Sequence, residues 1–276
     1  MIGVVGDHEQ RAYSAWTLDL HEIVNDVVEG QPIAVTWCPL CGTAIVYART
    51  VGSRTLTFGV SGMLYRDALV MYDRETGSLW SQVDGHAIKG ALAGQTLRPL
   101  ASIQATWQEW KALYPESLVL EKTGNGGFRS SYETYNRSSR LGIFGRRMSP
   151  SALPPKERIL GMRYNGTATA FAVKDVRRAG LVQTNVGGVP IVLASTAANL
   201  PVVGFERRAA GRVLTFSRTD VPTELADTET RSRWRTSDGM AVDGALKGER
   251  LVRVVMYPAF WFGWQGFFPR ATVWTP

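Results

Sequence analysis

Short segments rich in β-branched and aromatic residues follow one another along the first half of the chain, separated by glycine-containing turns. Such residues pack well on a pleated surface and therefore favour strands. The segments recur at a spacing of about ten residues, which is typical of sandwich and barrel folds. They are residues 32–37, 43–49, 54–60, 68–72 and 78–83. The pattern predicts a mainly β fold with barrel- or sandwich-like lobes.

Two other stretches show the periodicity of a helix. Residues 19–28 place their apolar side chains on one helical face, so we expect an early helix there. Residues 106–113 begin with Thr106, a good helix cap, and Pro115 follows them as a stop signal. The sequence thus predicts short helices in the first half and the same course in the second.

Two motifs occur twice, which indicates an internal duplication. Residues 30–35 resemble residues 188–193, and residues 84–94 resemble residues 238–248. Features present in both copies are expected to be architecture, and features of one copy are candidates for function. We expect a first repeat over residues 1–122, an ordered basic connector over 123–158 and a second repeat over 159–276.

Only the first repeat contains cysteine. Cys38 and Cys41 lie in the segment 37–42, and the second repeat has other residues at both matching positions. Two thiols at this spacing form a metal knuckle or a pair that exchanges disulfides. In redox proteins of the thioredoxin type such a pair opens a helix, whereas residues 43–47 favour a strand. The metal knuckle is therefore preferred, and two buried, reduced cysteines without chemistry are the plainest alternative.

A metal site needs further ligands besides two sulfurs. The chain has three histidines, His8, His21 and His86. We prefer His21, because the predicted helix over residues 19–28 would hold its orientation. Two cysteines and one histidine with an open fourth position suit one soft metal ion, copper or zinc. The candidate metal ligands are therefore Cys38, Cys41 and His21, with the two cysteines as candidate catalytic residues.

A pocket for a small-molecule substrate is expected beside the cysteines. The first repeat is longer than the second within residues 59–67, and loops that differ between related units often hold function. Some pocket candidates come from this loop and the strand after it, and the others lie close to His21 in the chain. They are Ser61, Tyr65, Tyr72, Asn25 and Asp26.

The composition is that of an ordinary globular protein, with 45% hydrophobic and 20% charged residues among 276. No apolar run reaches the length of about 18 residues that spans a membrane. The N-terminus lacks a signal-peptide pattern, so the chain as written would be cytoplasmic, unless it was trimmed from an exported precursor. Much of the net charge of +7 lies between Arg129 and Arg158. No nucleic-acid-reading motif accompanies these arginines, so we expect a solvated connector and no nucleic-acid partner.

Several motifs together resemble one family. They are residues 21–26, 35–42, 58–62, 71–74, 78–82, 153–158 and 260–264. In these motifs the chain resembles, nearly end to end, the bacterial and archaeal family known as domain of unknown function 3179. Trp37 stands where many relatives have tyrosine. The resemblance implies membership without an activity, and it implies that relatives are often exported or membrane-anchored.

Three functions are compatible with these residues. The first is a metalloprotein with redox or Lewis-acid chemistry on a small molecule. The second is a thiol–disulfide oxidoreductase, in which one of Cys38 and Cys41 attacks and the other resolves. The third is a non-enzymatic binding module with a structural metal.

Overall fold

The computed structural model describes residues 1–121, 132–145, 148 and 151–276. Within these residues the protein is mainly β, with strands in several small sheets and five short helices. The mainly β prediction is confirmed, although none of the sheets formed by the described residues closes into a barrel. In the same part of the chain, no helix combines the length and the apolar character needed to cross a bilayer.

The first half contains two helices between its strands. Its elements are β1 (Ile2–Val5), β2 (Gln10–Tyr13), α1 (Ala15–His21), β3 (Ile23–Val28), β4 (Gln31–Cys38), β5 (Thr43–Ala48), β6 (Thr50–Val51), β7 (Arg54–Thr55), β8 (Phe58–Tyr65), β9 (Ala68–Asp73), β10 (Leu79–Ser81), β11 (Ala87–Lys89), β12 (Pro99–Leu100), β13 (Ile103–Gln104), α2 (Trp107–Leu113) and β14 (Leu118–Val119). The connector contributes α3 (Glu133–Arg137). Three of its basic residues, Arg129, Arg146 and Arg147, lie outside the described residues.

The second half repeats this alternation of strands and helices. Its elements are β15 (Arg158–Tyr164), β16 (Thr167–Ala172), α4 (Val173–Ala179), β17 (Leu181–Val186), β18 (Val189–Ala194), β19 (Val203–Glu206), β20 (Arg208–Ala209), β21 (Arg212–Val213), β22 (Phe216–Arg218), β23 (Glu224–Asp227), β24 (Arg233–Arg235), β25 (Ala241–Asp243), β26 (Tyr257–Phe260), α5 (Trp261–Phe267) and β27 (Thr272–Val273).

The sheets of the two halves have matching strand orders. One sheet is β13-β1-β2-β14, with β14 parallel to β2, and another is β26-β15-β16-β27, with β27 parallel to β16. The sheets β11-β10-β9-β8 and β22-β23-β24-β25 correspond in the same way. The sheet that holds the cysteine segment is β12-β5-β4-β3, and β17-β18-β19 is the related sheet of the second half. This agreement is consistent with an internal duplication, which stays a prediction.

A buried aspartate organises a similar turn in each half. Asp73 accepts a hydrogen bond from the indole of Trp80, and Asp227 accepts one from the indole of Trp234, both at 2.8 Å. A threonine three residues after each aspartate donates a second hydrogen bond to it. Polar residues at matching positions of the two halves thus build turns here.

Each half buries its last helix in a core built largely by the other half. Trp110 of α2 lies in a buried cluster with Phe205 and Trp234 of the second half. Trp264 of α5 lies in a cluster with Cys41 and other buried residues of the first half. The apolar surface of each half is therefore covered in part by the other half.

The helix predicted over residues 19–28 is wrong in its second part. The helix α1 ends at His21, Glu22 takes a left-handed conformation with φ 55°, and Ile23–Val28 is the strand β3. Every residue of β3 has a partner in β4. The β-branched residues of this segment are stiff and favour strands, and the pairing with β4 overrides the helical spacing of its apolar side chains.

The second predicted helix is confirmed by α2. The hydroxyl of Thr106 accepts a hydrogen bond from the amide of Glu109 at 3.2 Å, and the Glu109 carboxylate accepts one from the Thr106 amide at 2.8 Å. This reciprocal pair is a capping box, which satisfies two amides at the start of the helix. Glu109 also forms an ion pair with Arg177 of α4, so the cap joins the two halves.

Candidate functional site

The two cysteines lie in the turn between β4 and β5. Cys38 is the last residue of β4 and pairs with Thr43 at the start of β5. Gly42 closes the turn with φ 63°, a conformation that glycine adopts without steric cost. Both cysteines are free thiols, 2% and 0% exposed. A strand follows the pair, as the residues after the motif predict.

The sulfur of Cys38 is surrounded by hydrogen-bond donors. Burial by itself would raise the pKa of Cys38, but the Cys41 thiol and the amides of Cys41 and Leu69 donate to the sulfur and lower that pKa below its ordinary value. Donors of this kind stabilise a thiolate more than a thiol. Cys38 is therefore the sulfur that loses its proton more readily.

Cys41, in contrast, favours the protonated thiol. Burial raises the pKa of Cys41 well above the ordinary value, and its contact with Cys38 raises it further. Its sulfur lies 3.1 Å from the hydroxyl oxygen of Thr43. Two thiols in contact thus differ in acidity, with Cys41 as the one that keeps its proton.

Gln82 links this pair to a buried chain of hydrogen bonds. The hydroxyl of Thr43 donates to Oε1 of Gln82 at 2.8 Å, and Nε2 of Gln82 donates to the hydroxyl of Thr36 at 2.9 Å. The Thr36 hydroxyl in turn donates to the carbonyl of Ile45 at 2.7 Å. Such a buried network is stable when each member finds a partner, because an unpaired polar group in the core is costly.

The connector helix α3 contacts the cysteine turn. Tyr135 donates from its hydroxyl to the carbonyl of Leu40 at 2.7 Å and accepts from the amide of Gly142 at 2.9 Å. Burial raises the pKa of Tyr135 to about 12, so this hydroxyl remains a donor. Lys156 donates to the carbonyl of Ser138 at 2.9 Å, and its ammonium nitrogen lies 3.7 Å from the centre of the Tyr135 ring. These contacts hold α3 against the turn.

The second half also contacts the cysteine turn. The amide of Phe260 donates to the carbonyl of Cys41 at 2.8 Å. At Gly263 of α5, a Cβ atom would lie 2.7 Å from the Cβ of Cys41, so only glycine fits without a shift. The site is therefore built by the first half, the connector and the second half together.

His21 is not brought to the cysteines. It is the last residue of α1 and is exposed, as are His8 and His86. Among the described residues, no group of three His, Cys, Asp or Glu side chains is arranged to hold a metal ion. The structure therefore brings Cys38 and Cys41 together without the predicted third ligand.

Glu22, the residue after His21, acts electrostatically on the pair. Its negative charge opposes the ionisation of Cys38. Burial raises the pKa of Glu22 itself, and the neighbouring Asp19 adds to this rise. The segment that the sequence singles out thus affects the cysteines through a carboxyl group.

Two of the predicted pocket residues, Asn25 and Asp26, brace the strands. The amide side chain of Asn25 forms two hydrogen bonds of 2.8 Å with the backbone of Phe58. Asp26 accepts hydrogen bonds from Arg11 at 2.7 Å and from the hydroxyl of Tyr13 at 2.6 Å. Both side chains therefore have structural partners.

The other three candidates lie on the hairpin of β8 and β9. Ser61 donates to the carbonyl of Val70 at 2.6 Å, and Tyr65 packs edge-on against Phe267 with 5.8 Å between the ring centres. Tyr72 is partly buried and packs close to Gly59. The second strand of this hairpin reaches the cysteines through the amide of Leu69. A substrate pocket formed by these residues stays a prediction.

A cleft of about 830 Å³ lies between the two halves. Its walls come from both halves and from α3, and include Trp16, Asp19, Trp37, Asn136, Arg158 and Arg177. Trp37 precedes Cys38 in β4, and successive residues of a strand point to opposite faces. The cleft therefore reaches the face of β4 that carries Trp37, while the sulfurs face the core shared with α5.

Sequence reasoning did not find Gln82, Thr43 or Tyr135. One signal for Gln82 was available, because the spacing of the motif at residues 84–94 and 238–248, extended by two residues, pairs Gln82 with Thr236. Gln82 occurs only in the half that has the cysteines, and this could have marked it as a candidate site residue. Tyr135 offered no such signal, since it lies in the connector between the two predicted repeats and has no matching position in either of them.

A family model described as "Protein of unknown function (DUF3179)" matches residues 1–271. The chain belongs to this family. Membership in DUF3179 agrees with the resemblance found in the motifs, and it assigns no activity. No curated protein and no solved structure matches the chain. Proposals about this DUF3179 protein therefore rest on the geometry of the cysteine turn.

Proposed function

We propose that this DUF3179 protein is a thiol redox protein in which Cys38 and Cys41 interconvert between dithiol and disulfide. The observation that supports the proposal is a pair of free, buried thiols in one turn, in which the Cys41 thiol and two backbone amides donate to the sulfur of Cys38. Oxidation of a cysteine pair in two steps needs a thiolate that reacts first and a neighbouring thiol that resolves the product. Cys38 and Cys41 have these two roles, respectively.

The burial of the pair favours a small oxidant of the hydroperoxide class. Both sulfurs are almost unexposed and α3 packs on their turn, so a protein disulfide could not reach them without rearrangement. A hydroperoxide needs only a narrow path, and thiolates react with it to form sulfenic acids. The restoring reductant would be a dithiol.

The reaction balances in two steps. The Cys38 thiol first releases its proton to water, and the thiolate attacks the terminal oxygen of ROOH. The O–O bond breaks, Cys38 becomes a sulfenic acid, and the RO⁻ group takes up the released proton from water and leaves as ROH. Cys41 then loses its proton and attacks the Cys38 sulfur, which forms the S–S bond. The hydroxide displaced from Cys38 takes the proton from Cys41 and leaves as water.

A copper or zinc ion held by the same two sulfurs is the second candidate. The convergence of two cysteines in one buried turn supports it, because soft thiolate ligands select Cu(I) and zinc. Under this alternative about one equivalent of metal would remain with the purified protein. A Cys38→Ala variant would lose it, and elemental analysis of both proteins measures the difference.

The redox proposal is tested by oxidising the reduced protein with one equivalent of hydrogen peroxide. Mass spectrometry after alkylation should show the loss of two hydrogen atoms and no free thiol, and dithiothreitol should reverse both changes. In Cys41→Ser the reaction should stop at a sulfenic acid on Cys38, which dimedone traps. In Cys38→Ser the remaining thiol should react more slowly.

The control is the double variant Cys38→Ser/Cys41→Ser, in which peroxide should change no residue within the cysteine turn. Circular dichroism before and after treatment shows whether the fold is retained. If both thiols of the folded wild-type protein stay free in excess peroxide, the redox proposal is wrong.

A further inference from the structure

We infer that Gln82 and Thr43 decide which cysteine reacts first, because their hydrogen bonds keep the proton on Cys41 and leave Cys38 as the attacking sulfur. This inference rests on the proposed redox function and adds a positioning role for two residues outside the cysteine motif. Neither residue touches the oxidant in this scheme; both act through Cys41.

The direction of the hydrogen-bond chain is fixed at its far end. The carbonyl of Ile45 can only accept, so the Thr36 hydroxyl must donate to it. Thr36 has one proton, and its oxygen therefore accepts from Nε2 of Gln82. This orientation turns Oε1 of Gln82 towards Thr43, where an amide oxygen can only accept.

The same reasoning sets the role of Cys41. The single hydroxyl proton of Thr43 is used in its hydrogen bond to Gln82, so towards Cys41 the Thr43 oxygen is an acceptor. The thiolate of Cys38 is an acceptor as well. Acceptors therefore surround the sulfur of Cys41, and the carbonyl of Cys38 at 3.9 Å is another. A Cys41 thiol can donate its one proton to any of them, whereas a Cys41 thiolate would face them all without a proton to donate.

The backbone adds to the difference between the two sulfurs. Two amides, those of Cys41 and Leu69, donate to Cys38. One amide, that of Thr43, donates to Cys41. Since each donor stabilises a thiolate, the backbone favours Cys38 as the sulfur that loses its proton.

The network belongs to the half that has the cysteines. At the position that matches Gln82, the second half has Thr236, whose hydroxyl donates to the carbonyl of Thr223 at 3.1 Å. The second half thus forms its turn without an amide at this position, whereas in the first half the amide of Gln82 reaches Cys41 through Thr43.

Gln82→Leu tests the inference in a Cys38→Ser background, where only Cys41 can react. Leucine removes the acceptor for the Thr43 hydroxyl, whose proton can then be donated to the Cys41 thiolate. We expect the rate of Cys41 oxidation by hydrogen peroxide to rise about tenfold, the factor that one hydrogen bond typically produces. In a Cys41→Ser background, the same substitution should leave the rate of Cys38 nearly unchanged.

Three matched variants separate this effect from loosened packing. Gln82→Glu keeps an oxygen acceptor for Thr43, so Cys41 should stay slow. Thr43→Val removes the acceptor oxygen but provides no donor to Cys41, so the rate of Cys41 should rise less than in Gln82→Leu, whereas a merely loosened core would raise both rates equally. Thr236→Val, at the matching position of the second half, should change neither cysteine.

The outcomes distinguish this inference from the proposed function. If the wild-type protein forms the reversible disulfide but Gln82→Leu leaves the Cys41 rate unchanged, the positioning role is wrong and the redox function stands. An equal rise in Gln82→Leu, Gln82→Glu and Thr43→Val also overturns it. If the wild-type protein forms no disulfide, the proposed function fails whatever the single-cysteine rates are.

Discussion

Asp227 shows how a single buried carboxylate stabilises this fold. It accepts hydrogen bonds from the indole of Trp234 and from the hydroxyl and amide of Thr230. Burial by itself would raise the pKa of Asp227, but these donors outweigh it and hold that pKa below its ordinary value. Because the pKa is lower in the folded protein than in the unfolded one, the ionised form contributes stability that is lost as the pH falls.

Asp227→Asn should lower the free energy of unfolding by about 1.5–3 kcal/mol near neutral pH, the usual contribution of hydrogen bonds to a charged group. The difference from wild type should shrink below about pH 4, where the carboxyl of the unfolded chain becomes protonated. Urea unfolding at neutral and acidic pH measures it, with the exposed Asp220→Asn as control. A difference that stays constant with pH would contradict this account.

At the scale of elements, α5 and the cysteine turn approach unusually closely. Gly263 lies within α5, where alanine would favour the helix by about 1 kcal/mol. A Cβ at this position, however, would lie 2.7 Å from the Cβ of Cys41, which is closer than carbon atoms pack. The helix preference and the contact thus oppose each other, and the contact should decide the sign.

Gly263→Ala should therefore destabilise the protein, by about 1–3 kcal/mol as in other overpacked cores. Chemical denaturation followed by tryptophan fluorescence measures the change. Gln265→Ala, on the same helix and only partly buried, is the control and should have little effect. Greater stability in Gly263→Ala would show that helix preference outweighs the contact.

At the scale of the whole molecule, the last helix of each half packs into the core of the other half. Trp110 of α2 is fully buried in a cluster with Phe205 and Trp234, and the hydroxyl of Tyr114 donates to the carbonyl of Ser237. On the other side, Trp264 lies in the cluster that contains Cys41. Neither half can complete its core alone, so the protein should unfold as one unit.

Trp110→Ala should lower the free energy of unfolding by about 3–5 kcal/mol, the usual cost of removing a large buried aromatic side chain. Because the cores are shared, far-ultraviolet circular dichroism and tryptophan fluorescence should still report one coincident transition. Two separate transitions, with only one shifted by the substitution, would show that the halves unfold independently.

Several local features were predictable from the sequence alone. Segments rich in β-branched and aromatic residues indicated the strands around Cys38. Thr106 and Pro115 bounded α2, since caps and stop signals act within a few residues. The strand after Cys41 was predictable for the same reason. The helix predicted over residues 19–28 failed because its outcome depended on pairing with β4, and periodicity alone does not report that pairing. The role of His21 as a metal ligand stays a prediction.

The sequence by itself determined the mainly β course of the chain, the cysteine pair and membership in DUF3179, because these follow from neighbouring residues and their motifs. Only the tertiary structure decided what surrounds the sulfurs. Gln82, Tyr135 and Gly263 lie far from the cysteines in the chain and reach them through the packing of both halves and α3. The direction of a hydrogen bond, and hence which sulfur keeps its proton, depends on this assembled set of partners.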